Sequence, residues 1–260
     1  MIISHKYKFL FIGLPFSASS AISKELNLEY GGEPYLRKHS LFHEFQKIAT
    51  KEERNYFVFA VLRNPMEIAV TGYEKMRANA KGNFSNPELF KENGGHITKL
   101  HRQKFNFIKD KNASFQEYFT RFFKKPYDNF SSLTLDGCDF VIRYENIESD
   151  YILALEKAGI ENPKPLPVAN KTAGKSNDLS LYYTDEIKEH AIYVFAPFLE
   201  KYGYNFLAKW GEVKTPFLSS INFKILGLLR KINQKYFKKH SDIIAREDTI
   251  YGDMIRRKTN

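Results

Sequence analysis

Residues 7–22 read Tyr-Lys-Phe-Leu-Phe-Ile-Gly-Leu-Pro-Phe-Ser-Ala-Ser-Ser-Ala-Ile, and the fold is decided there. Phe9 to Ile12 is a run of aromatic and β-branched types that suits a buried strand. Gly13 to Ser20 is dominated by small residues and predicts a tight turn, and Ala21 to Leu26 reads as the first turns of a helix. Strand, turn and helix start together form a holder for a phosphate-like anion. Backbone N–H groups point into the turn, and the helix adds the positive end of its dipole. Ser17, Ser19 and Ser20 offer hydroxyl donors to the same anion. The Gly-Lys-[Ser/Thr] ending of a Walker A loop is absent, which argues against a nucleoside triphosphatase. The alternative is an ordinary strand–turn–helix unit of an α/β fold.

Outward from this stretch the pattern repeats. Tyr56 to Leu62 is a nearly continuous apolar run, as expected of a parallel strand buried on both faces. It ends in Arg63-Asn64-Pro65, and a helix follows over Met66 to Ala78. In open α/β sheets ligands bind at the C-terminal ends of the strands. An arginine there suits bidentate recognition of phosphate. Thr71, eight positions after Arg63, adds a hydroxyl. Phe140 to Ile142 is a third short strand, and a helix from Ile147 to Ala158 ends at Gly159. Strands alternating with helices imply an α/β fold in three layers, a central parallel sheet flanked by helices.

Other segments carry candidate chemistry. Lys38-His39 precedes a helix over Leu41 to Ile48, with Ser40 as its N-cap. Histidine titrates nearest neutrality, so His39 is a candidate for proton transfer, and a surface histidine with a structural hydrogen bond is the alternative. Residues 79–112 are polar and read as an insertion or lid with some helix. The loop from Val168 to Ser176 holds Lys171 and Lys175, a second candidate anion contact or else a solvated loop.

The 260 residues are 43% hydrophobic and include 23 Phe and 16 Tyr, which excludes a disordered chain. The formal charge of +10 points to an anionic partner: a nucleic acid, a membrane surface, or a phosphorylated or sulfated molecule. No nucleic-acid recognition motif is present and the aromatics sit at core spacing, so nucleic acid ranks last. One cysteine, Cys138, builds neither a disulfide framework nor a zinc cluster, and no metal site is expected. Phe9 to Pro15 is too short to span a bilayer and lacks a signal-cleavage pattern, so the expectation is a soluble, cytoplasmic protein.

From Lys214 the composition changes. Phe223, Ile225, Leu226, Leu228, Leu229 and Ile232 lie beside Lys224, Arg230, Lys231 and Lys235. This predicts an amphipathic helix, either peripheral on a membrane or partner, or covering the protein's own core with its basic face in water. Residues 1–213 are expected to form the α/β domain and residues 214–260 a basic, helical C-terminal extension. Nothing in the sequence sets an oligomeric state.

Together these junctions resemble the P-loop sulfotransferases, in particular the branch that includes carbohydrate O-sulfotransferases. The resemblance covers about residues 6–206. The stretch Phe11 to Ser20 is similar to the family's loop for the 5′-phosphosulfate of 3′-phosphoadenosine 5′-phosphosulfate (PAPS), which implies contacts from Pro15, Phe16, Ser17, Ala18, Ser19 and Ser20. Val61 to Pro65 with Ala69 to Tyr73 is similar to the family's 3′-phosphate site, which implies Arg63 and Thr71. Phe140 to Asn146, Leu166 to Thr172, Tyr182 to Glu186 and Tyr202 to Phe206 resemble the later segments of the same branch. The family implies transfer of a sulfuryl group from PAPS to an acceptor hydroxyl on a carbohydrate or small metabolite, without a metal. His39 would be the base, with Glu44 and His43 as weaker candidates. The family's loop carries a lysine directly after the proline, where this chain has Phe16. That lysine neutralises charge on the leaving phosphate oxygen. Its absence leaves three readings: another cation, Lys38, Lys171 or Lys175, reaches the loop; the backbone and serines serve a slower enzyme; or the protein binds nucleotide or glycan without catalysis.

Overall fold

The computed structural model describes residues 1–128, 131–167, 174–237 and 251–254. Its strands are β1 (Ile2–Ser4), β2 (Phe9–Ile12), β3 (Glu33–Pro34), β4 (Phe57–Leu62) and β5 (Phe140–Arg143). They form one sheet in the order β3-β1-β2-β4-β5. The helices are α1 (Ser19–Glu29), α2 (Phe42–Ile48), α3 (Pro65–Arg77), α4 (Lys99–Asp110), α5 (Phe115–Phe122), α6 (Ser131–Leu135), α7 (Ile147–Lys157), α8 (Lys188–Tyr202) and α9 (Phe217–Ile232). The α/β class expected from the sequence is the one observed. The three apolar runs are β2, β4 and β5, and they pair in parallel. The sheet as a whole is mixed, because β1 runs antiparallel to both β2 and β3.

Contacts divide the chain into two compact units. The first comprises residues 1–63, 128–169 and 229–260 and holds the whole sheet. Alternation along each strand sends Phe9, Phe11, Phe59 and Val61 to one face, where they pack with Ile22 and Leu26 of α1 and Tyr151, Ala154 and Leu155 of α7. Leu10, Ile12, Val58 and Ala60 point to the other face and are equally buried, and α6 lies against β4. A sheet covered in this way explains why its central strands are apolar at every position.

The second unit, residues 64–127 and 170–228, has a core of Val70 and Tyr73 from α3, Phe115 and Phe119 from α5, and Val194 and Phe195 from α8, joined by Tyr183. Two of its buried tyrosine hydroxyls find carbonyl acceptors: Tyr73 donates to Ala113 at 2.8 Å and Tyr183 to Met66 at 3.0 Å. Residues 79–112, read as an insertion or lid, hold 3₁₀ turns and α4. The helix expected at residue 41 starts at Phe42, and its first turn is closed by the Glu44 carboxylate accepting from the Leu41 N–H (2.7 Å) rather than by Ser40. The Cys138 thiol is pushed up to about 12 by burial, reinforced by Asp139 and Asp136, and forms no disulfide. No helix among the described residues is long and apolar enough to cross a membrane.

Candidate active site

The turn after β2 is built around Gly13. A Cβ there would come within 3.0 Å of Ser19 Cβ and 3.3 Å of the Lys38 carbonyl oxygen, so the close approach of these segments favours glycine. Phe16 (φ 63°) and Ala18 (φ 54°) both adopt the left-handed conformation. Each costs roughly 1–2 kcal/mol in an L-residue, and strain of this kind concentrates where function demands it. The turn is held by the Ser17 hydroxyl, which donates to the Leu14 carbonyl (2.7 Å), and by Arg63 Nη1, which donates to the Phe16 carbonyl (2.9 Å). Left-handed residues interleaved in such a turn aim successive N–H groups toward its concave side. α1 then begins without a side-chain cap and without an acidic residue in its first turn. Its positive dipole end is therefore not offset by a carboxylate of its own first turn.

Two side chains from the segment before α2 meet this turn. Lys38 Nζ donates to Ser20 Oγ at 2.6 Å. Of the two described among the three lysines expected as alternatives to a cation at position 16, this is the one whose ammonium lies on the loop. Lys175 pairs with Glu67 and its side chain is 9% exposed, while Lys171 lies outside the described residues. His39 Nδ1 lies 2.6 Å from the Gly13 carbonyl oxygen. A carbonyl only accepts, so Nδ1 carries the proton of the neutral ring and Nε2 is left as its basic nitrogen. Desolvation pushes the His39 pKa down to about 4; the Lys38 charge acts in the same direction and the Gly13 contact opposes it. The residue also keeps open surface, so water offsets part of this depression. Either way the ring is neutral at pH 7. Glu44, a weaker base candidate, is 4% exposed and committed to Arg37 (2.9 Å) and the Leu41 N–H.

Arg63 follows β4 and is 8% exposed, its guanidinium carbon 4.0 Å from the centroid of the Tyr144 ring. The aromatic face restrains the guanidinium plane and adds a cation–π contact. Tyr144 was not among the sequence-based candidates. The Arg-Tyr-Glu-Asn run after the third strand marked the place but gave no sign of this stacking. Tyr251 was missed as well: its buried hydroxyl reaches the carbonyls of Leu36 (2.5 Å) and Tyr35 (3.2 Å), bracing the segment that leads to Lys38 and His39. No local pattern announces a contact across more than 200 residues.

The structure brings Gly13 to Ser20, Lys38, His39 and Arg63 together in the first unit. Thr71 belongs to α3 in the second unit, where its hydroxyl is buried at 2% exposure with no hydrogen-bond partner among the described residues. An open cleft of about 760 Å³ in the second unit, lined by Phe107, Lys111, Gln116, Arg121 and Lys124 among others, contains none of the expected site residues. Among the described residues there is no cluster of three or more His, Cys, Asp or Glu able to hold a metal ion.

No family model and no curated protein matches this chain. Among solved structures, it is similar to mouse sulfotransferase SULT7A1 complexed with PAP, at 13% identity over 76% of this chain and 86% of that one, with a TM-score of 0.36. At that TM-score the likeness carries no weight in assigning residues or chemistry.

Proposed function

We propose that the chain is a sulfotransferase that moves a sulfuryl group from PAPS to an acceptor hydroxyl on a carbohydrate or small metabolite. The observation that carries this reading is the convergence on one turn of an uncapped helix start, the Lys38 ammonium, a neutral His39 imidazole and the Arg63 guanidinium. Such a set suits a donor with anionic groups and a transfer that releases one proton.

The turn from Gly13 to Ser20 and the start of α1 are assigned the 5′-phosphosulfate of the donor. Lys38 takes the part for which Phe16 has no charge, neutralising the phosphate oxygen as its bond to sulfur breaks and keeps the electron pair. His39 Nε2 accepts the proton of the acceptor hydroxyl while that oxygen bonds to sulfur in line. The products are the sulfated acceptor and adenosine 3′,5′-bisphosphate. Arg63, steadied by Tyr144, is assigned the 3′-phosphate, and Thr71 joins it on chain spacing alone. Lys171 also rests on the sequence alone, and the ion pair of Lys175 with Glu67 favours a loop-holding role for that lysine.

A second reading, a nucleotide- or glycan-binding relative without turnover, is favoured by Phe16, whose side chain is 40% exposed and whose carbonyl is already taken by Arg63. Incubating the protein with PAPS and a broad panel of hydroxyl acceptors, with mass-spectrometric detection of sulfated product, separates the two. Transfer that Arg63→Ala abolishes supports the enzyme. Binding of the bisphosphate without any transfer supports the second reading, and absence of both removes them together.

A further inference from the structure

Helix α9 is mounted inside out. Polar contacts hold its inward side: Ser219 is fully buried with its hydroxyl donating to the Tyr193 carbonyl (2.5 Å), Asn222 donates to the Tyr193 hydroxyl (2.8 Å), and Arg230 pairs with Asp128. Phe223 and Leu226 are half-buried on the same side, but most of its large apolar residues are left outside. Phe217 is 78% exposed, Leu218 70% and Leu228 60%, and Ile221, Ile225, Leu229 and Ile232 are exposed as well. These positions recur every three or four residues, so they form one stripe along the helix rather than scattered contacts. A stripe of this length, roughly 24 Å for 16 residues at 1.5 Å each, is more apolar surface than a water-facing helix carries without an occupant.

Charge identifies the occupant. From Lys214 to Lys239 the sequence has seven Lys or Arg residues and no Asp or Glu. We propose that α9 docks flat on an anionic lipid surface, its apolar stripe entering the headgroup–acyl boundary and its lysines meeting lipid phosphates and carboxylates. The helix is too short to cross a bilayer, and a flat-lying mode does not need it to. A second copy of the chain is the weaker occupant: a two-fold contact through this stripe would set against each other two basic helices that carry no carboxylate of their own. An anionic surface attracts exposed lysines such as Lys224, Lys231 and Lys235, strengthening partitioning about fivefold per basic residue close to it. This inference is independent of the sulfuryl-transfer reading.

The full chain, sedimented with extruded vesicles of phosphatidylcholine alone or mixed with phosphatidylserine, tests it. The expected result is binding to the phosphatidylserine vesicles, several-fold weaker at high salt, and weak binding to phosphatidylcholine alone. Ile225→Glu with Leu228→Glu should lower partitioning at least about tenfold, and Lys224→Glu with Lys235→Glu several-fold. All four side chains are exposed, so the melting temperature should hold, and circular dichroism verifies it. Absence of binding to the anionic vesicles, or unchanged binding of the Ile225→Glu, Leu228→Glu protein, overturns the proposal. So does a wild-type dimer by light scattering that this double variant converts to monomer, because the stripe would then be covered by a second copy.

Discussion

Two helices of this protein follow parallel strands of the same sheet, and their first turns are finished differently. At the start of α3 the protein closes its own helix. The Asn64 side chain accepts from the Met66 N–H (2.9 Å), Pro65 occupies a position where its missing N–H costs nothing, and Glu67 places a carboxylate in the first turn. At the start of α1 none of these devices is present. The position before it is a left-handed alanine, no side chain caps it, no carboxylate sits in its first turn, and a lysine lies on Ser20. A chain that caps one helix with neutral and acidic groups and sets a lysine at the start of the other shows the difference expected if the second is kept for an external anion.

The largest effect that would sharpen the contrast is on turnover. Lys38→Met should lower kcat about 10²–10³-fold, the loss usual for one preorganised donor, with a much smaller change in the KM for donor. A reduction below about threefold would mean that the charge at this turn is not used. Arg63→Ala removes charge-assisted bonds worth about 1.5–3 kcal/mol, so bisphosphate affinity should fall roughly 10–100-fold by calorimetry. At the other helix, Asn64→Ala should cost about 1 kcal/mol of stability in a denaturant titration and leave bisphosphate affinity unchanged. A loss of affinity there would break the distinction between the closed and the open helix start.

The smallest expected effect is on the pH profile. The pKa of His39 is lowered, chiefly by desolvation, to about 4. A base must be unprotonated, so activity falls only as the pH drops through that depressed value. The kcat/KM profile should be flat from about pH 6.5 to 8, with its acid limb below the ordinary histidine value. The same shift makes the unfolded chain bind a proton more readily than the native one between pH 6.5 and 4, so His39 subtracts stability as pH falls through that window. A limb centred at or above 6.5 that disappears in His39→Gln would contradict this environment for the ring.

The parts of this arrangement that lie along single strands and turns were legible in the sequence. Phe9 to Ile12, Tyr56 to Leu62 and Phe140 to Ile142 are long or apolar enough to mark the parallel strands, and small residues after the first mark the turn. β1, three residues long, and β3, two residues long and containing Pro34, are too short to show alternation; they escaped notice, and with them the mixed character of the sheet. The loop cation was narrowed only to Lys38, Lys171 or Lys175, because reaching Ser20 from Lys38 depends on how residues 33–40 return across β1 rather than on spacing. Tyr144 beneath Arg63 is a contact between neighbouring strand ends, which a linear pattern does not encode. For α9 the periodicity was visible, but which face turns outward was decided by Tyr193 and Asp128, residues distant in the chain.

The central claim, that the turn from Gly13 to Ser20 is an open anion holder, is tested most directly by titrating adenosine 3′,5′-bisphosphate into the wild-type protein and into Ser20→Asp. The substitution sets a carboxylate beside Lys38 at a half-buried edge of the turn. Saturable one-to-one binding to the wild type, weakened at least about tenfold in Ser20→Asp while the melting temperature is kept, is the result this account predicts. No binding to the wild type, or equal binding to both proteins, would contradict it.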